Sequence, residues 1–153
     1  MGGSQAVAEV YLHDRETGTT SLISRDADSG EPSGTHDWTT DWSSRTHVIT
    51  TDRQFVVYES DAENIVPVEG QAGVTANNLY RHDAETDRTT RVSINSLDEP
   101  ADGWSTHPSV SDDGRFIAFT TTSNNLDSHD VDSDRDVYLH DVSSGETRWV
   151  SRH

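Results

Sequence analysis

The 153-residue chain reads as an all-β protein assembled from four-stranded antiparallel blades of a β-propeller, about two and a half blades in this length. Three observations predict this. A Tyr-x-His-Asp string recurs three times with fixed spacing downstream of it. The apolar residues fall in short β-branched and aromatic runs bounded by turn residues. No window carries a sustained apolar period of 3.6 residues, so little or no helix is expected.

The repeats come first. The three strings are Tyr11, His13, Asp14; Tyr80, His82, Asp83; and Tyr138, His140, Asp141, placed 69 and 58 residues apart. Four residues beyond each Asp stands a turn residue (Gly18, Asp87, Gly145). Thr follows six beyond (Thr20, Thr89, Thr147) and Ser ten beyond (Ser24, Ser93, Ser151). Upstream of the second and third copies lies another matching run, Phe55-Val56-Val57-Tyr58 and Phe116-Ile117-Ala118-Phe119. Chance does not produce three copies that agree at five positions.

In chain order, Val10-Tyr11-Leu12 is a strand, Glu16-Thr17-Gly18-Thr19 a hairpin turn and Ser21-Leu22-Ile23-Ser24 the returning strand. The second repeat places strands at 55–58 and at its Tyr-x-His-Asp string, then returns through Thr90-Arg91-Val92-Ser93. In the third, Pro108-Ser109-Val110-Ser111 turns through Asp112-Asp113-Gly114-Arg115 into Phe116–Phe119. It then runs Val137-Tyr138-Leu139, turns at Ser143-Ser144-Gly145-Glu146 and returns as Arg148-Trp149-Val150-Ser151. The polar stretches 25–46, 61–77, 94–107 and 122–136 are expected as loops. The chain thus divides into a half blade at 9–24, a blade at 25–93 and a blade at 94–153.

The run Pro108–Phe119, continued by Asn125-Leu126, by Asp132–Asp141 and by Gly145–Ser151, resembles the repeats of TolB-like (WD-repeat-like) propellers. The likeness is specific over residues 89–153 and weaker over 19–88, where Arg53 replaces the turn glycine and the Pro-Ser pair is missing. The resemblance implies the fold. It implies no single activity, because such blades serve peptidase gating domains, envelope proteins and extracellular modules. An extracellular or periplasmic setting follows from the same resemblance, although no basic-then-apolar leader reads as a secretory signal.

Composition sets the exclusions. Acidic residues number 28 against 11 basic ones, all arginine, for a net charge of -17. That charge repels nucleic acid and anionic membranes, and no apolar run suits membrane insertion. It reads as adaptation to high salt, where carboxylate repulsion is screened, with codon bias in a GC-rich genome as the plainer account of the arginines. With no cysteine there is no disulfide, thiolate metal site or cysteine nucleophile.

The densest chemical feature is the loop Asp127–Asp136. Its carboxylates at Asp130, Asp132, Asp134 and Asp136 alternate, and hard oxygen ligands at that spacing suit Ca²⁺ if the loop coils. The plainer reading is a solvated acidic loop. The His-Asp pairs invite a base-and-orienter reading, but their threefold repetition favours a structural one, with Asp closing Asx-turns. Trp38, Trp42 and Trp104 sit in loops leading into first strands, with His36, Asp37 and Asp41 beside the first two. His36, Trp38, Trp42 and Trp104 form the candidate ligand face for a protein or a carbohydrate. The alternative is Trp wedged between blades.

The expectation is a non-enzymatic binding or scaffold module that completes a ring as a homo-oligomer or with blades supplied from elsewhere. One rival is a glycosidase- or lyase-type enzyme drawing paired carboxylates from Asp37, Asp41 and Asp102. The other is a structural assembly protein.

Overall fold

The structure, a computed structural model, describes residues 9–26, 28–33, 46–62, 64–66 and 76–152. Among the described residues there are strands and no helix: β1 (Tyr11–His13), β2 (Thr20–Leu22), β3 (His47–Ile49), β4 (Phe55–Ser60), β5 (Asn78–Asp83), β6 (Arg88–Arg91), β7 (Ser105–Val110), β8 (Phe116–Thr121), β9 (Asp136–Asp141) and β10 (Glu146–Trp149). β1 pairs with β2 alone. β3-β4-β5-β6 and β7-β8-β9-β10 are four-stranded sheets in which each strand pairs antiparallel with its sequence neighbour. The all-β class and the four-stranded blade architecture are as the sequence predicts.

Register fixes the equivalences between sheets. Tyr58 lies opposite Tyr80 as Phe119 lies opposite Tyr138, and His82 faces Thr89 as His140 faces Thr147 and His13 faces Thr20. The turn residues repeat as well. Gly18, Asp87 and Gly145 all have positive φ (71°, 57° and 73°), and Arg53 takes the same left-handed conformation at 66° as its counterpart Gly114 at 67°. The replaced glycine in the second repeat therefore changes the residue without changing the turn. Asp52 holds that turn by accepting the Gln54 N–H at 3.0 Å, as Asp113 accepts that of Arg115 at 3.1 Å.

Several boundaries differ from the sequence reading: β6 and β10 each begin two residues earlier than expected, and Asp136, expected as loop, opens β9. Residues 105–107, expected as loop, belong to β7, and the strand continues through a register shift between Thr106 and Ser109. His107 at the bulge has φ 55°, and its N–H donates to the Glu59 carboxylate on β4 at 2.8 Å. Pro108 has no N–H to offer a ladder, so a bulge is where a strand interior tolerates it.

The three sheets stack face to face, with the β3–β6 sheet in the middle. Every residue of β4 is buried. Alternation sends Val56 and Tyr58 toward the first hairpin, where they cluster with Ile23, Ala62, Ile65 and Tyr80. Val57 and Leu79 face the other way, into a cluster with Ile117, Phe119, Leu126 and Tyr138 of the last sheet. The buried tyrosine hydroxyls are satisfied: Tyr58 donates to the Ile23 carbonyl and Tyr80 to that of Ala62, both at 3.1 Å. Between middle and last sheets, the Arg81 guanidinium lies 3.7 Å over the Phe55 ring and donates to the Gly114 carbonyl at 3.0 Å.

Gly114 combines two demands. Its φ is left-handed, and a Cβ there would overlap the Phe55 ring of the neighbouring sheet. Gly145 has the same kind of φ with nothing within 4 Å. Gly145→Ala should therefore cost about 1 kcal/mol of backbone strain, and Gly114→Ala about 2–4 kcal/mol once the steric clash is added. Urea unfolding of the two variants checks this; equal losses would mean that the close approach of the sheets at Phe55 is wrong.

Candidate functional site

The repeated motif has a structural use in all three copies. Each Asp accepts the N–H of the residue two beyond it, Asp14 from Glu16 at 2.8 Å, Asp83 from Glu85 and Asp141 from Ser143 at 3.0 Å. Each His Nδ1 bonds the Thr hydroxyl across the hairpin at 2.8, 3.0 and 2.9 Å. The Thr147 hydroxyl gives its one proton to the Ile94 carbonyl at 2.6 Å, so His140 is the Nδ1–H donor in that pair. Burial lowers the pKa of both His82 and His140, which keeps them neutral. Each Ser hydroxyl accepts a backbone N–H (Val10, Leu79, Val137) and donates to the side chain one residue earlier (Glu9, Asn78, Asp136). This latch ties the return strand to the start of the Tyr-x-His-Asp strand.

The Asp-rich loop brings together three of its four predicted ligands. Asp130, Asp132 and Asp136 each offer a carboxylate oxygen, and the three atoms lie within 4.8 Å of one another. Asp134 is not in that group; its N–H donates to Asp132 at 3.0 Å. Two of the three carboxylates already hold neutral donors. Buried Asp130 accepts the Tyr138 hydroxyl at 2.7 Å, and Asp136 accepts Trp149 Nε1 at 2.8 Å and the Ser151 hydroxyl at 2.5 Å. Burial first, and then Asp130, push the Tyr138 pKa strongly upward, so the phenol stays a donor.

Of the candidate ligand residues, His36, Trp38 and Trp42 lie outside the described residues, as do Asp37 and Asp41. Trp104 is exposed at the start of β7 and lines a cavity of about 270 Å³ with Thr106, Thr120, Thr121, Thr122 and Arg135. Because Arg135 belongs to the Asp-rich loop, Trp104 and that loop share one part of the surface. Asp102 is bonded to the loop after β8, accepting the Ser123 hydroxyl at 2.6 Å and the Asn124 N–H at 3.2 Å.

A second cleft, of about 720 Å³, was not legible in the sequence. It lies beside the first hairpin, between Leu12 to Glu16 and the residues Ile49, Arg53 and Ala84 of the middle sheet.

No family model and no curated protein matches the chain by sequence. Comparison of folds finds the tricorn protease, with TM-score 0.51 and 13% identity over 88% of this chain and 12% of the protease. It also finds a TolB-type protein from Agrobacterium tumefaciens (TM-score 0.48, 16% identity) and TolB from Acinetobacter baumannii (0.46, 16%). Each of these aligns with 92% of this chain, which spans 40% and 37% of their respective lengths. At such identities the likeness is one of fold: the chain is a β-propeller fragment similar to part of these proteins.

Proposed function

We propose that the chain is a non-enzymatic binding or scaffold module, presenting its Trp- and Asp-rich loop face to a partner while its open sheet faces are covered in an assembled ring. One observation carries the reading. The residues that the middle sheet buries against the last sheet have exposed counterparts on the last sheet itself: Phe55 is 8% exposed and Leu79 0%, but Phe116 is 37% and Val137 38%. With Ala118 and Leu139 between them, these residues form an apolar face built like one that is covered elsewhere in the same chain. No helix among the described residues is long and apolar enough to cross a membrane. The cavity lined by Trp104, four threonines and Arg135 supports a protein or carbohydrate contact on the loop face. Of the carboxylates named for the enzymatic alternative, Asp102 is the one among the described residues, and its Oδ1 accepts from Ser123 and Asn124.

Covering that face by association of copies predicts a particle larger than 16.9 kDa. Light scattering after gel filtration should give a multiple of the chain mass, and Phe116→Asp with Val137→Asp should return it to a single chain. A wild-type chain that runs as one compact, cooperatively melting copy would contradict the reading.

A second reading, that the loop holds Ca²⁺, is favoured by the convergence of Asp130, Asp132 and Asp136. Titration calorimetry with CaCl₂ should then show heat for wild type and for Asp134→Asn, and little for Asp132→Asn. Equal heats from all three proteins, or none, would leave the loop as a solvated acidic turn.

A further inference from the structure

The contact between the first hairpin and the middle sheet recurs between the middle and last sheets, and the two junctions are fastened by different chemistry. After β2 the chain makes a turn closed by the bridge of Arg25 to Pro32, and after β6 a similar turn closed by the bridge of Ile94 to Pro100. Their internal bonds correspond. Asp26 N–H donates to the Glu31 carbonyl as Asn95 does to Glu99, and Ser33 donates to Ser24 as Ala101 does to Ser93. Each turn is bonded to the outer hairpin of the following sheet. The second is held by hydroxyls: Thr147 donates its hydroxyl proton to the Ile94 carbonyl at 2.6 Å and its N–H to the Ser96 hydroxyl at 3.0 Å. The first is held by charge. The Arg25 guanidinium pairs with the Asp87 carboxylate at 2.5 Å and donates to the Asp87 carbonyl at 3.4 Å.

Asp87 is itself the exception in its repeat. Its counterparts are Gly18 and Gly145, and it adopts their left-handed φ, 57° against 71° and 73°. Glycine takes that conformation without steric cost, so the aspartate is there at the expense of the turn. Behind it lies His82, 2% exposed, with Nδ1 on the Thr89 hydroxyl at 3.0 Å and Nε2 3.8 Å from Asp87 Oδ1. That gap is too long for a hydrogen bond and short enough for an ion pair once the ring is charged. Among the described residues, the charged groups facing His82 are Asp87 and Asp83 of its own hairpin and Arg25 of the first turn. Val56, opposite it on β4, does not titrate.

We infer that Arg25, Asp87 and His82 form a proton-operated latch: a proton on His82 sets a second cation against the Asp87 carboxylate, weakens its hold on Arg25 and loosens the first turn from the middle sheet, while the second turn stays fastened. The coupling is reciprocal. Arg25 beside the ring opposes a proton on it, so a proton on the ring opposes the docked Arg25 by the same factor. Asp87 attracts both cations but is turned toward one, at 2.5 Å to Arg25 against 3.8 Å to His82. Burial holds the His82 pKa below its ordinary 6.5, and Asp87 acts in the opposite direction. The folded chain therefore takes up this proton less readily than the unfolded one, and stability falls as the pH drops below 6.5. His140 is buried in the same way, but its turn carries Gly145, and Thr147 fastens its junction without a charge. Acid thus reaches both histidines and finds an ion pair to weaken at one junction.

The test is amide exchange on the whole chain at about pH 7.5 and about pH 5, corrected for the intrinsic pH dependence of exchange, with NMR titration of the histidine rings. On acidification the amides of Asp26, Gly30 and Ser33 should exchange about tenfold faster or more, and those of Asn95, Asp98 and Ala101, their counterparts, within about twofold of their neutral rate. Arg25→Gln should raise the midpoint of His82 and leave that of His140 in place. Asp87→Gly, which restores the residue of the other two copies, should lower the midpoint of His82 and abolish the pH response of the first turn. Retained melting of both variants guards against a folding defect, and the wild-type exchange comparison needs no variant. Equal acceleration at the two turns, or none at the first, overturns the inference. So does a His82 midpoint that Arg25→Gln leaves unchanged or lowers.

Discussion

Burial of the middle sheet on both faces is the constraint on which the rest of the structure depends. A chain with 28 Leu, Ile, Val and Phe residues out of 153 and a net charge of -17 has little apolar surface with which to offset chain entropy. It folds by concentrating that surface. Val56 and Tyr58 point one way from β4 and Val57 the other, so one strand serves two cores. The hairpins on either side are held mostly by what they place against this sheet. A cross-strand aromatic pair stands in each core, Tyr58 with Tyr80 at 5.7 Å between centroids in the middle sheet and Phe119 with Tyr138 at 6.3 Å in the last.

The polar motif explains how such short strands keep their register. A strand of three to six residues with few apolar positions is weakly specified by hydrophobic pattern alone. The Ser latch at one end of each Tyr-x-His-Asp strand and the Asp turn at the other pin both termini. The His–Thr bond pins the middle from one face. These bonds are local and repeat in all three copies, including the exposed first hairpin, so they define the hairpin without burying it. Burial then separates the copies: His82 and His140 are enclosed and neutral, while His13 is exposed.

Much of this was legible in the sequence, and for a physical reason. Turn chemistry and side-chain alternation are local, so the spacing of Tyr, His, Asp, Gly, Thr and Ser gave the hairpins directly. Arg53 looked like a defect in the second repeat, yet Asp52 imposes the turn through hydrogen bonds and the arginine accepts a left-handed φ. The start of β7 was missed because the bulge at His107 depends on Glu59 of another sheet, a contact with no local signature. Asp134 was grouped with its neighbours by alternation alone. In the folded loop, the bonds made by Tyr138 and Trp149 decide which carboxylates converge. The cleft beside β1 depends on the placement of Ile49 and Arg53, which only the stacking of sheets reveals.

The central claim is that the hairpins are alike in bonding and unlike in burial, so that packing against a neighbouring sheet supplies most of their stability. Native-state amide exchange at equivalent positions in β1, β5 and β9 of the chain alone tests it most directly. The account predicts that the inward amides of β5 and β9 exchange only through global unfolding. Those of β1 that bond to β2 should exchange by local opening, about a hundredfold faster or more. Uniform protection across the three hairpins would contradict it, because the local motif would then be sufficient without a covering sheet.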